Sequence, residues 1–347
     1  MVSINRTEKY YGKSLKPIGE ELTLSHLLRH KNSFIGMPYG DRIIKALSEK
    51  KLIRKNMRVL EVGFGLGNIA KAFSQIEDII YIGLDCSKNL AKECISKISG
   101  DERFNFILAD ILKPPFLDKK FDLIICNEVL ADLPTVVDMH KNAKQTKELS
   151  KEDREIYKDA LRMLKEYSLV DKKTPETFNF NYGAVRFIEI VKGLLNEKGA
   201  CLIIENSCEN KTKYATQWPA RMGMIGHDEY NVKFSWLVKV GKKLGFSVEY
   251  GSITDLFCIK KKKFICVLLN EQLRDLYSFY KRNEIDNFLV KYASYIFTPD
   301  EFLKLIKEEG FFSDKDFEMY NAFLKRNARY ITEITDQFMY IILRKRA

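Results

Sequence analysis

The chain has 347 residues, 46% hydrophobic and 30% charged, with 23 Phe and 17 Tyr, a composition that excludes disorder and collagen-like repeats and leaves room for one large α/β domain with insertions or two smaller ones. Lys and Arg number 58 against 47 Asp and Glu, a formal charge of +11; this biases the protein toward anionic partners, RNA among them, although a lysine-rich chain carries such an excess without any polyanion. No apolar run approaches the roughly 20 residues that span a bilayer, residues 1–16 place Glu8, Tyr10 and Tyr11 where a signal peptide needs its apolar stretch, and seven cysteines without a Cys-x-x-Cys pair suit reduced core residues, so a cytoplasmic protein without membrane insertion is expected.

In chain order, residues 1–55 read as a polar start followed by a helical cap. A Leu-rich helical stretch at 22–28 and an amphipathic one at 41–52 flank the turn sequence Met37-Pro38-Tyr39-Gly40. From residue 58 short apolar runs at 58–62, 79–84, 104–108, 121–126 and 200–204 alternate with segments of helical period. Strands alternating with helices predict an α/β, Rossmann-like parallel sheet covered on both faces, here placed at 56–269. The charge-dense stretch 141–177 is too long for an ordinary connection and reads as a helical insertion over the rim of the sheet. Runs at 246–250 and 264–269 continue the strand pattern, 270–333 is helical, and 334–347 closes the chain with the strand pattern Gln337-Phe-Met-Tyr-Ile-Ile-Leu-Arg344.

The most informative segment is Val59-Leu-Glu-Val-Gly-Phe-Gly-Leu-Gly-Asn-Ile-Ala70, a buried strand running into three alternate glycines and then a helix. Gly63, Gly65 and Gly67 allow a sharp turn and close approach to a ligand, at which the helix that follows aims its N–H groups. Position 68 is Asn where a dinucleotide fingerprint has Gly or Ala, and the acidic Glu61 precedes the glycines. A carboxylate there disfavours a pyrophosphate and favours S-adenosylmethionine, with its sulfonium and amino group. The next strand ends in Asp85-Cys86-Ser87, where a carboxylate accepts ribose hydroxyls. Ala109-Asp110-Ile111 then offers an acceptor for an adenine amino group and an apolar side chain for its ring, and a fourth strand ends in Asn127-Glu128.

Over residues 58–269 this ordered set of four strand-end motifs resembles the class I S-adenosylmethionine-dependent methyltransferases. The resemblance implies that Glu61, Gly63, Gly65 and Gly67 hold the methionine part of the cofactor, Asp85 its ribose and Asp110 with Ile111 its adenine, that Asn127 lies beside the sulfonium, and that Phe64 and Cys86 complete the set. Asn127-Glu-Val-Leu-Ala-Asp132-Leu-Pro134 resembles an Asn-Glu-Phe-Phe-Asp-Ala-Leu-Pro element of the MidA family of methyltransferases. His227-Asp-Glu-Tyr-Asn-Val-Lys-Phe, Thr254-Asp-Leu-Phe257 and Asp336-Gln-Phe-Met-Tyr-Ile-Ile are similar to later segments of that family. Asp132 stands one residue later than the family's aspartate, and Ile204-Glu-Asn-Ser replaces Ile-Asp-Tyr-Gly. That resemblance implies a protein arginine as methyl acceptor, a protein or peptide partner, and a possible role in assembly.

Methyl transfer is an in-line displacement on an activated leaving group, so the protein aligns the partners and excludes water. A guanidinium acceptor also needs carboxylates to orient it and take its proton. Glu128 and Asp132, following the fourth strand, and Glu229 from a later loop are the candidates. His227 is the alternative base, favoured by a neutral acceptor, and Trp218 and Tyr230 are candidate walls of the acceptor cleft. His26 and His30 lack a third ligand, so no metal site is expected. RNA and small-molecule methyltransferases are the competing enzyme classes, and a cofactor-binding assembly factor without turnover is the non-enzymatic one.

Overall fold

The computed structural model describes residues 2–7, 23–28, 37–98, 100–116, 120–142, 149–210, 215–224, 227–258 and 337–346, with the single positions 304, 308 and 318. The strand expected at 264–269 lies outside the described residues, as does the helical segment at 270–333 apart from those three positions. The strands are β1 (Ser3–Asn5), β2 (Met57–Val62), β3 (Ile79–Asp85), β4 (Phe104–Leu108), β5 (Phe121–Asn127), β6 (Thr135–His140), β7 (Thr177–Phe180), β8 (Leu195–Asn206), β9 (Arg221–Gly223), β10 (Asp228–Tyr230), β11 (Ser247–Ser252) and β12 (Phe338–Arg344). The helices are α1 (Leu24–Leu27), α2 (Tyr39–Glu49), α3 (Asn68–Phe73), α4 (Lys88–Ile98), α5 (Lys151–Glu166), α6 (Tyr182–Leu194), α7 (Phe234–Lys243) and α8 (Ile253–Leu256).

Among the described residues, seven strands form the central sheet in the order β11-β12-β8-β5-β2-β3-β4. The pairs from β8 through β5, β2 and β3 to β4 are parallel, and β12 runs antiparallel between β8 and β11. Alternation along the strands divides the core into two layers. Val59, Leu123, Ile125, Leu202 and Ile204 face Tyr39, Ile43 and Leu47 of α2 and Ile69 and Phe73 of α3. Leu60, Val62, Ile124 and Cys126 face Val185, Phe187, Ile188 and Val191 of α6 and Leu237 and Val240 of α7. Because both faces are covered, these strands read in the sequence as continuous apolar runs rather than alternating ones. Truncating a fully buried member such as Leu123 to Ala costs about 2–5 kcal/mol.

The roof differs from the expectation of helices alone. A second sheet, β1-β6-β7, includes residues 3–5 of the polar start, with Ile4 opposite Val136, and residues 135–140, where the sequence reading has no strand. Thr135-Val136-Val137 is a β-branched run that suits a strand, but its partner β1 is three residues long and too short to show a period. Within the 141–177 insertion the helix is α5. Ser150 Oγ caps it by accepting from Asp153 N at 3.1 Å, and Tyr157, Ala160, Met163 and Leu164 form its buried stripe. Arg6 ties β1 to α5 through Glu152 at 2.9 Å and Asp153 at 2.6 Å. Cys94, Cys126, Cys201 and Cys208 are buried as expected, whereas Cys86 and Cys258 are exposed.

Candidate active site

The carboxyl ends of β2, β3, β4 and β5 open into a cavity of ≈ 680 Å³ lined by residues 61–65, 84–86, 109–113, 127–129 and 132–134. Arg6, Thr23 and Ser25 border it from the N-terminal segment, and Glu152, Glu155, Ile156, Asp159, Tyr182 and Arg186 border it from α5 and α6. A crevice outside strand C-termini is where α/β sheets place ligands, because the helices that follow point their N–H groups there.

The glycine loop forms the floor. Gly63 has φ +70°, and a Cβ on it would stand 2.2 Å from Val129 Cγ2; its N–H donates to the Leu84 carbonyl at 2.7 Å. Gly67 lies outside the lining. It has φ +77° at the N-cap of α3, and a Cβ there would stand 2.5 Å from Cys94 Sγ on α4, so it sets the approach of two helices. Asp85 accepts from Gly65 N at 3.1 Å and from Ser87 N at 2.8 Å. Burial raises its pKa, and these N–H donors partly oppose the shift. Glu61 is buried and accepts from the Tyr81 hydroxyl. Burial pushes its carboxyl up to about 8; the Tyr81 bond works against this and the charge of Asp85 adds to it. A ligand ammonium would relieve that cost. Phe64, Cys86, Asp110 and Ile111 all line the cavity.

The end of β5 carries a network only partly legible in the sequence. The Tyr39 hydroxyl donates to Asn127 Oδ1 at 2.6 Å, and Asn127 Nδ2 donates to Glu128 Oε1 at 3.0 Å, so the Asn127 amide is oriented from both sides. Glu128 also accepts from the backbone N–H groups of Leu24 at 2.9 Å and Ser25 at 3.4 Å. It thereby holds the first turn of α1 against the cavity, with its own backbone at φ +55°, a left-handed conformation that costs a non-glycine residue roughly 1–2 kcal/mol. Desolvation pushes its carboxyl up to about 7, against the hydrogen bonds it accepts. Tyr39 sits in a sequence that reads only as a turn.

Asp132 lines the cavity and meets His227 Nε2 at 3.6 Å; His227 Nε2 lies 2.9 Å from Glu229 Oε1. The structure therefore brings these three sequence candidates together, with His227 and Glu229 behind the cavity wall. Trp218 and Tyr230 do not line the cavity. Trp218 packs with Phe178 and Trp236 and carries Lys233 Nζ 4.2 Å from its ring centroid, and Tyr230 is buried on β10. Tyr230 is held in register with Arg221. Both are thus part of the packing rather than the cleft wall. Glu205, at the end of β8, was legible only as a strand-end acid. It is buried and accepts from Ala131 N at 3.1 Å and Asn206 N at 2.8 Å. Burial, with the charges of Glu128 and Glu229, pushes it up to about 8.

Residues 60–165 match the family model for a methyltransferase domain. The sterol 24-C-methyltransferase of Debaryomyces hansenii is 28% identical over 93 residues, 26% of this chain and 25% of that protein, so the chain spans about a quarter of the length of the curated relative it matches. Among solved structures, an uncharacterized ACR superfamily protein from Burkholderia thailandensis aligns with TM-score 0.51 and 15% identity over 98% of this chain and 87% of that one. Phosphoethanolamine N-methyltransferase 2 of Haemonchus contortus, in complex with phosphomonomethylethanolamine and S-adenosylhomocysteine, aligns with TM-score 0.50 and 13% identity over 98% of this chain and 61% of that one. These structural likenesses show the fold. The model that matches, for a methyltransferase domain, covers residues 60–165, and the fold is the one these solved structures share.

Proposed function

We propose that this chain, built on a class I methyltransferase domain, transfers a methyl group from S-adenosylmethionine to a nitrogen of a cationic side chain in a protein or peptide, arginine being favoured by the MidA-like motif at 127–134. Glu61 and the glycine loop take the methionine part of the cofactor, Asp85 the ribose, Asp110 and Ile111 the adenine, and Asn127, fixed by Tyr39, the region of the sulfonium. Glu128 is committed to the backbone of residues 24 and 25, so the acceptor side falls to Asp132, which orients the guanidinium and receives its proton as nitrogen attacks the methyl carbon and S-adenosylhomocysteine leaves. His227 and Glu229 stand behind it.

The observation that carries this reading is the sign of the cavity wall. Asp110, Glu128, Asp132, Glu152, Glu155 and Asp159 border it against Arg6, Lys113 and Arg186. Arg6 is paired with Glu152 and Asp153, Arg186 with Glu189 at 2.6 Å and Asp159 with Arg162 at 2.6 Å; with those pairs set aside, Asp110, Glu128, Asp132 and Glu155 still face only Lys113 among the lining cations. Such a cavity attracts cations although the whole chain is basic, and it repels the phosphates of RNA. No helix among the described residues is long and apolar enough to cross a membrane; a cytoplasmic location remains part of this proposal. Incubating the purified chain with methyl-labelled S-adenosylmethionine and separated protein, RNA and metabolite fractions of its host tests it. Label that emerges as methylarginine after acid hydrolysis of the protein fraction is expected; label confined to RNA or metabolites, as the sterol and phosphoethanolamine enzymes among the similar proteins would suggest, sinks the acceptor assignment.

A further inference from the structure

We infer that Asp132, His227 and Glu229 form a binding site for one divalent transition-metal ion of the Mn²⁺ or Zn²⁺ type at the acceptor edge of the cavity. The three residues come from two segments distant in sequence, the turn after β5 and the entry into β10, and each offers one ligand atom, all within 4.8 Å of one another. His227 Nε2 is 2.9 Å from Glu229 Oε1 and 3.6 Å from Asp132 Oδ1. Ligand atoms about 2.0–2.2 Å from a metal stand about 2.9–3.6 Å from each other in octahedral or tetrahedral arrangements, so an ion fits between these atoms with small side-chain movement. One imidazole with two carboxylates is a mixed N,O set, which selects Mn²⁺, Fe²⁺ or Zn²⁺ over thiophilic ions, and three protein ligands leave coordination positions open, as catalytic rather than structural sites do.

Two further observations favour an ion here. The His227 side chain is only 6% exposed and those of Asp132 and Glu229 19% and 17%, so the ligands are sheltered yet reachable, and Asp132 borders the cavity. The surroundings are also acidic. Glu205 is 3% exposed at the end of β8 and accepts from the N–H of Ala131, the residue before Asp132, at 3.1 Å, so a further carboxyl stands beside the site. This inference goes beyond the acceptor reading and shares Asp132 with it, the ion and the acceptor guanidinium being alternative partners of that carboxylate.

The test uses the tag-free full chain stripped with chelator, under reducing conditions and without S-adenosylmethionine. Mn²⁺ is titrated in while the electron paramagnetic resonance of the free ion is followed, and Zn²⁺ is then added as competitor. One Mn²⁺ per chain is expected, displaced by Zn²⁺, with His227→Ala and the near-isosteric Glu229→Gln each weakening binding at least tenfold. Far-UV circular dichroism and S-adenosylhomocysteine affinity, both expected to match the parent, report that the variants are folded. If either variant fails to fold, Asp132→Asn carries the comparison. Absence of binding up to about 1 mM, or binding of equal strength in parent and folded variants, overturns the site. Neither result touches the methyl-acceptor assay, which is run on chelator-treated protein.

Discussion

Replacing Glu61 with Gln isolates the electrostatics of the cavity floor. The Glu61 carboxyl sits near 8 in the folded chain, against an ordinary 4.5, so at pH 7 it is about nine-tenths protonated while the cofactor site is empty. If the cofactor's ammonium arrives beside it, the ionised form is favoured and the proton leaves. Calorimetry with S-adenosylhomocysteine at pH 7, in two buffers of different ionisation enthalpy, should therefore show release of about 0.9 proton per binding event, and affinity should rise nearly tenfold per pH unit up to about 8 before levelling. Glu61→Gln should abolish the release and flatten the profile. At pH 8.5 it should also cost about 1.5–3 kcal/mol, the worth of a hydrogen bond to a charged group. The stability consequence has a definite sign. Unfolded Glu61 ionises near 4.5 and folded Glu61 near 8, so between these values the native state holds a proton that the unfolded state has lost; unfolding free energy falls as pH rises through that window, and the Gln variant should lose this share of the slope. A parent protein that binds without proton release and with a flat pH profile would refute the pairing of Glu61 with the ammonium.

Tyr39→Phe removes the donor to Asn127 Oδ1 and leaves a buried acceptor unsatisfied, which should lower stability by about 1–3 kcal/mol in urea titration; an unchanged midpoint would show that Asn127 re-pairs. Gly63→Ala forces a Cβ onto Val129 at positive φ and should reduce cofactor affinity by at least tenfold, whereas Gly193→Ala, with open space at its Cβ, should not. Glu128→Ala should raise amide hydrogen exchange at Leu24 and Ser25, whose N–H groups it accepts; unaltered exchange there would mean that other contacts hold α1. Asp132→Asn should leave S-adenosylhomocysteine affinity near the parent value and lower single-turnover methylation by about 10²–10⁴, and equal loss of both would assign Asp132 to the cofactor.

The sequence by itself determined the sheet and its ligand-bearing edge. Strands such as Val59-Leu60-Glu61-Val62 and Leu123-Ile124-Ile125-Cys126 are apolar because both faces are buried, and each ends in a residue type whose chemistry is local, a glycine turn, a carboxylate or an amide. Local signals of this kind survive without knowledge of the partner. What only the tertiary structure decided depends on neighbours far along the chain. Glu128 reads as an acceptor-holding carboxylate, yet it meets backbone N–H groups more than a hundred residues earlier. Tyr39 reads as a turn residue, yet it reaches Asn127. Trp218 and Tyr230 read as cleft aromatics, but Trp218 packs on Phe178 and Trp236 and Tyr230 is buried on β10, the strand whose Glu229 meets His227 beside Asp132. Hydrogen bonds and ion pairs act over about 3–4 Å, and no one-dimensional pattern records which distant groups a fold brings within that reach.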